Sequence, residues 1–295
     1  MSAPVHNGIL VGVDGSASSK AAVAWAAHDA AMRGAPLTLV HVLPPPVAMT
    51  FPETPMPPGY MEWQEEQGKH HIHDAVKIVE QCTGATGPPH ISTETVVGPT
   101  VPMLVDLSKE SVMLVVGSRG HGWLRRSLMG SVSSNLVRHA HCPVAVIHEA
   151  GPSMPHPSGA PVVVGVDGSP VSDTATAVAF EEASFRGVEL IAVYAWHDAN
   201  VYDVPGIDFA AMQVDGERVL AEQLAGWRER YPDVKVRRVV VCDRPADQLI
   251  EQSHNAQLVV VGSHGRGGFA GMLLGSVSVA VVQSARIPVI VARRS

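Results

Sequence analysis

Gly8–Ser16 reads GILVGVDGS, and Pro161–Ser169 reads PVVVGVDGS. Each is a short β-branched run, strand-sized, that breaks at a Gly-Ser turn just ahead of a long amphipathic stretch. The return of the motif at an offset of 153 residues marks the chain as an internal duplication. Two further pairs extend it. MLVVGSRGHG at Met113–Gly122 returns as LVVVGSHGRG at Leu258–Gly267, and MGSVSSNLV at Met129–Val137 returns as LGSVSVAVV at Leu274–Val282, both at an offset of 145. The eight-residue difference is a net deletion in the second half, and the Pro-rich stretch Pro44–Pro58 is its expected place.

A chain of 295 residues exceeds the usual single domain and accommodates two of roughly 150 residues, each able to bury its own core. Ala150–Ala160, AGPSMPHPSGA, has no hydrophobic periodicity and reads as the linker. The expected boundary is near Ser153, giving domains 1–152 and 153–295. Apolar residues at 46% and charged residues at 17% fit a globular protein. The net charge of −7 offers no basic field to draw in a polyanion, so nucleic acid is not an expected partner.

Cys82, Cys142 and Cys242 stand far apart without a CxxC pair, as reduced structural thiols do. Met1–Gly8 lacks a basic region followed by an apolar stretch, and no apolar run approaches the roughly 20 residues of a membrane helix. A soluble, cytoplasmic protein without a signal peptide or membrane partner is expected.

Within the first copy, Ile9–Val13, Leu37–Val42, Ile91–Val97, Met113–Gly117 and Val144–Ile147 read as strands. Ser18–Arg33, Met61–Gln81, Met103–Glu110 and Ser131–His139 read as helices, with Pro102 in a first turn and Gly34 after a last one. The β-α alternation predicts an α/β chain of two tandem doubly wound, Rossmann-like domains. Each is a five-stranded parallel sheet with helices on both faces. In such sheets ligands bind at the carboxyl ends of the strands, where strand order reverses.

The fourth strand leads into Gly117-Ser118-Arg119-Gly120, then nine residues, then Gly130-Ser131 at a helix start. The second copy repeats this as Gly262-Ser263-His264-Gly265, nine residues, Gly275-Ser276. Glycines let backbone N–H groups approach an anion, and a helix N-terminus adds a favourable dipole and unused donors. Ser131 and Ser276 add hydroxyl donors, so the constellation is a phosphate cradle in which a side chain at Gly117 or Gly120 would occupy phosphate space. Asp14 and Asp167 end the first strands, beside Gly12 and Gly165. Their carboxylates suit either a ribose or adenine donor or a helix N-cap.

Other nucleotide motifs fit poorly. GxxxxGK[ST] is absent, and Gly265–Ala270 matches GxGxxA without an acidic residue about 20 positions on. A GxSxG nucleophile elbow is also absent.

With Gly-x2-Gly-x9-Gly-Ser in both halves, the chain resembles a tandem universal stress protein of the actinobacterial, ATP-binding type. The resemblance implies that Asp14 and Asp167 contact the adenosine, that Val42 lies by the adenine, and that the glycine loops and their serines hold the phosphates. In the first half the implied site comprises Gly12, Asp14, Val42, Val116, Gly117, Ser118, Arg119, Gly120, His121, Gly122, Arg126, Gly130, Ser131 and Val132. In the second it comprises Gly165, Asp167, Ala195, Asp198, Val261, Gly262, Ser263, His264, Gly265, Arg266, Gly267, Gly275, Ser276 and Val277.

The copies differ where it matters. Ala195 replaces Val42, Asp198 has no counterpart, and Arg125 and Arg126 correspond to Ala270 and Gly271. A guanidinium clamp at Arg126 would belong to the first half alone, with Arg266 as the compensating cation in the second, and unequal affinities follow.

The expected ligand is ATP, with or without magnesium, and the expected role is a nucleotide-dependent stress or growth regulator. A homodimer and a regulatory protein are the candidate assemblies. The alternative is a slow ATPase or phosphotransferase, for which only His121 and Arg126 are candidates. His70, His71 and His73 read as a solvated helix face rather than a metal site. Trp227 and Tyr231 read as a packing pair rather than a base platform.

Overall fold

The structure, a computed structural model, describes residues 8–45, 58–83, 87–88, 90–120, 129–149, 159–196, 209–266 and 273–293. The chain divides into two compact units, Met1–Glu149 and Ala150–Ser295. In the first, β1 (Ile9–Gly12), α1 (Ala17–Arg33), β2 (Leu37–Leu43), α2 (Tyr60–Thr83) and β3 (Ile91–Val97) follow in order. They are succeeded by α3 (Thr100–Leu107), β4 (Met113–Gly117), α4 (Ser131–His139) and β5 (Val144–Ile147). All pairings are parallel and the strand order is β3-β2-β1-β4-β5, so the order reverses between β1 and β4.

The second unit repeats the plan with β6 (Val162–Gly165), α5 (Pro170–Arg186), β7 (Leu190–Ala195), α6 (Phe209–Arg230) and β8 (Val236–Val241). Then come α7 (Pro245–Ser253), β9 (Leu258–Gly262), α8 (Ser276–Ser284) and β10 (Val289–Ala292), in the order β8-β7-β6-β9-β10. Each unit is therefore the doubly wound α/β fold that the sequence predicts. Among the described residues no helix is long and apolar enough to cross a membrane.

The strand sequences match their places. Ile9, Leu10 and Val11 in β1 and Leu114 and Val115 in β4 are wholly buried, as central strands covered on both faces must be. The edge strand β3, ISTETVV, leaves alternate residues exposed. Helix α1 packs through Ala22, Ala26, Ala27 and Ala30, whose small side chains bring it close to the sheet.

The termini of α1 and α5 are duplicated in detail. Ser16 and Ser169 are the N-caps, their hydroxyls accepting from the N–H groups of Ser19 and Ser172, both at 3.2 Å. Gly34 and Gly187, both at φ 61, close the helices in the left-handed conformation that glycine adopts without strain.

Helix α3 begins three residues before the expected Met103, because a proline at the third position lacks only an N–H that no intrahelical carbonyl would have accepted. Its last expected residues, Ser108–Glu110, tighten into a 3-10 turn.

The deletion is not confined to Pro44–Pro58. A Cβ on Gly68 would meet His41 and Leu43, and one on Gly216 would meet Tyr194 and Trp196, the residues 153 positions further on. The two glycines are thus equivalent at an offset of 148, so five residues are lost before them and three after. Trp227 and Tyr231 do pack as a pair, stacked at 6.4 Å and laid on the buried ring of Phe180.

One buried ion pair recurs in each unit. Arg33 Nε donates to Asp29 Oδ2 at 2.7 Å on α1, and Arg186 Nε to Glu182 Oε2 at 3.0 Å on α5, with both carboxylates fully buried. Removing the arginine takes its charge and hydrogen bond from a fully buried carboxylate. Arg33→Met is expected to destabilise the first unit by about 3–5 kcal/mol, and Asp29→Leu added to it to restore much of the loss. Urea unfolding of the two variants checks this; equal stability of Arg33→Met and wild type refutes it.

Candidate functional site

The turn after β1 is built by Asp14. Its Oδ1 accepts from the Ser16 N–H at 2.9 Å, and its own N–H donates to Ser19 Oγ at 3.1 Å. Asp167 repeats both bonds, with Ser169 at 2.9 Å and Ser172 at 3.1 Å. The N-cap reading of these aspartates gives way, since the caps are Ser16 and Ser169. The carboxylates instead face the loop after the fourth strand of their unit. A Cβ on Gly120 would stand 2.7 Å from Asp14 Oδ2. The Arg266 N–H, next to Gly265, donates to Asp167 Oδ2 at 3.0 Å.

That loop is fixed at both ends. A Cβ on Gly117 would stand 2.7 Å from Ser18 C and 2.8 Å from Ser19 N, so β4 ends directly against the backbone of the first turn of α1. Gly117 is bare chiefly for this packing rather than to leave phosphate space. The Arg119 carbonyl accepts from the hydroxyls of Ser16 and Ser18. Ser118 is buried, and its carbonyl accepts from Gly130 N at 2.7 Å and Ser133 Oγ at 2.9 Å. In the second unit, Ser263 O accepts from Gly275 N at 2.7 Å.

Gly130 and Gly275 are the N-caps of α4 and α8, and neither supplies a side chain to the first turn. Both helices therefore present first-turn backbone N–H groups without a side-chain cap from these glycines, and a positive dipole end, at the mouth of the switch point.

These parts enclose a cavity at the carboxyl edge of each sheet. In the first unit it measures about 630 Å3 and is lined by Gly12, Asp14, Val42, Val116, Gly117, Arg119, Gly120, Gly130, Ser131 and Val132 of the sequence-derived set. In the second it measures about 820 Å3 and is lined by Gly165, Asp167, Ala195, Val261, Gly262, His264, Gly265, Arg266, Gly275, Ser276 and Val277. Both volumes are of the size of small-molecule sites.

Ser118 and Ser263 do not line it; they are buried behind the loop and hold it through their carbonyls. His121, Gly122, Arg126, Asp198 and Gly267 lie outside the described residues.

The cavities have walls that the loop motifs do not announce. Thr100 and Leu104 of α3, and Pro245 and Leu249 of α7, close one side. Gly12 and Gly165 admit those leucines: a Cβ there would stand 3.5 Å from Leu104 Cδ1 and 3.0 Å from Leu249 Cδ1. His41 lines the first cavity, its Nδ1–H donating to the Val13 carbonyl at 2.6 Å, which leaves Nε2 the acceptor in the neutral ring. Tyr194, Trp196 and Met212 line the second. The one available signal is His41 itself, an ionisable residue inside the largely apolar LTLVHVL. Among the described residues no cluster of three or more His, Cys, Asp or Glu could hold a metal ion.

The model of the universal stress protein family matches residues 7–148 and again 160–293, and the chain belongs to that family. A universal stress protein of Mycobacterium tuberculosis H37Rv is 58% identical over 290 residues, covering 98% of each chain. A second from the same strain is 57% identical over 288 residues, covering 98% of this chain and 97% of its own. Among solved structures, a universal stress protein from Archaeoglobus fulgidus superposes with a TM-score of 0.69 at 19% identity over 99% of both chains, a likeness of fold.

The glycines differ in what a methyl group would disturb. Gly117→Ala forces the rigid α1 backbone to move and is expected to destabilise its unit by about 1–3 kcal/mol. Gly120→Ala meets the Asp14 carboxylate, a side chain rather than backbone, and Gly262→Ala meets Val171 Cγ1 at 3.0 Å and the Val171 carbonyl at 3.3 Å. Both are expected to cost less than Gly117→Ala. Thermal unfolding of the three variants checks the order, and a Gly117→Ala protein as stable as Gly120→Ala refutes it.

Proposed function

We propose that each unit binds one ATP across its switch point, and that the chain acts as a nucleotide-dependent stress or growth regulator. The observation that carries this reading is the convergence, in both cavities, of an uncapped helix N-terminus, a glycine loop and an aspartate on an apolar pocket. The first two suit phosphates. Gly120, Gly130, Ser131 and Val132, and their counterparts Gly265, Gly275, Ser276 and Val277, would hold them through backbone N–H groups and the serine hydroxyls. Gly120 and Gly265 also keep the loop against the aspartate, since a Cβ there would be driven into its carboxylate.

Asp14 and Asp167 then suit the ribose hydroxyls or the adenine amino group, because a carboxylate accepts from such donors and repels phosphate. The apolar wall formed by Val40, Val42 and Leu104, or by Val193, Ala195 and Leu249, suits the base. The donors on this list are backbone amides and hydroxyls. Such a set binds and orients a nucleotide, whereas hydrolysis also requires a base or water-orienting group and charge stabilisation at the γ-phosphate. Binding with little turnover is accordingly the favoured mode, and magnesium would accompany the phosphates as their counter-ion.

Protein purified without added nucleotide and heat-extracted is expected to release up to two ATP per chain, and calorimetry of the stripped protein to give two sites. Gly120→Glu should remove one of them, through charge and bulk beside Asp14, and leave the other. ATP held by the protein should remain ATP for hours in a single-turnover assay. Fewer than two sites, or an unchanged count in Gly120→Glu, refutes the cradle assignment, and rapid release of ADP favours the ATPase.

A further inference from the structure

The turn glycine after each first-strand aspartate forms a shelf, and the two units lay different side chains across it. On Gly15 (φ 82) the occupant is His71 of α2, whose Cε1 would stand 2.5 Å from a Cβ built there. In the second unit α6 presents Val219 at the corresponding place, with Cγ1 3.3 Å from a Cβ built on Gly168 (φ 77). The shelf is taken there by the guanidinium of Arg266, with Cζ also at 3.3 Å.

Arg266 comes from the glycine loop, and its side chain runs back across the Asp167–Gly168 turn to β7. A guanidinium N–H donates to the Tyr194 hydroxyl at 3.2 Å, and Cζ lies 5.7 Å from the Tyr194 ring centroid. The residue is exposed and lines the cavity. Among the described residues its guanidinium has no carboxylate partner. It is a full positive charge held by a neutral phenol and a ring face.

On the reading that the second site takes a nucleotide, we propose that Arg266 makes this site sensitive to the number of phosphates. A guanidinium forms charge-assisted, often bidentate bonds to phosphate oxygens. A phenol hydroxyl and an exposed cation–π contact are weaker holders. Because the backbone of Arg266 is already in the glycine loop, rotation about its flexible stem carries the charge from Tyr194 to the phosphate end without movement of the fold. The pull increases with each added phosphate, so ATP gains more than ADP, and AMP least.

Among the described residues, the occupant of the first unit's shelf is His71. His71 is carried by a helix, beside His41 at 5.3 Å between ring centroids, and does not belong to the glycine loop.

The test needs a signal from the second site alone. Trp196 supplies it: the residue lines that cavity, 5.9 Å from Tyr194 between ring centroids, and its buried indole N–H has no partner among the described residues. Its 15N–1H cross-peak, assigned by its loss in Trp196→Phe, is followed while adenosine, AMP, ADP and ATP are titrated into the full chain, wild type, Arg266→Gln and Arg266→Lys.

Arg266→Gln is expected to weaken ATP about 10- to 100-fold, the span for hydrogen bonds to charged groups, and ADP less. AMP should change less than about 2-fold by the same scale. Arg266→Lys should fall between, and the ATP loss should shrink as salt rises. Equal losses for AMP, ADP and ATP, or none, overturn the proposal while leaving nucleotide binding intact, because a residue that merely steadies the turn affects all three alike. A cross-peak that no nucleotide moves at millimolar concentration overturns the nucleotide reading of this site together with the proposal.

Discussion

The contact on which the site depends is the one between the end of the fourth strand and the first turn of the first helix. Gly117 stands against the backbone of Ser18 and Ser19 with no room for a methyl group. The next residue, Ser118, uses its carbonyl to hold Gly130 N at 2.7 Å and Ser133 Oγ at 2.9 Å. Strand, loop and α4 are thereby locked by buried backbone bonds, and unpaired groups there would be costly. The donors at the helix N-terminus consequently face the switch point.

The duplication preserved this framework and changed the walls around it. Serine caps, left-handed closing glycines and the buried carboxylate–arginine pair on the first helix all recur, with Glu182 in place of Asp29. Toward the second helix of each unit, His41, Leu43 and His71 become Tyr194, Trp196 and Val219. On that side the first cavity is lined by His41 and the second by Tyr194 and Trp196. The two copies thus share one scaffold and differ in the side chains around it.

Membership in the universal stress protein family accounts for the scaffold, and the residue geometry accounts for which parts of the loop motif face outward. Of the four residues in Gly117-Ser118-Arg119-Gly120, the first is bare to admit a helix and the second is buried as a strut. The third lines the cavity while its carbonyl binds Ser16 and Ser18, and the fourth faces the carboxylate of Asp14. Residues adjacent in a motif need not share a function, because successive side chains and carbonyls along an extended segment point in opposite directions.

The sequence by itself determined the duplication, the order and type of the elements, and the glycine loops with their aspartates. Repetition, β-branched runs and cap residues are local signals, readable without knowing what packs against what. Only the tertiary structure decided that Asp14 is no N-cap, because the Ser16 hydroxyl takes that role and the aspartate accepts from the Ser16 N–H instead. It alone placed Leu104, Leu249, His41 and Tyr194 in the cavity walls. Those residues reach the site from helices and strands outside the glycine loops, and the loop motifs do not record the approach. Arg266 shows the same limit: its positive charge is plain in the sequence, whereas its rest on Gly168 and Tyr194 depends on a shelf assembled from three separate segments.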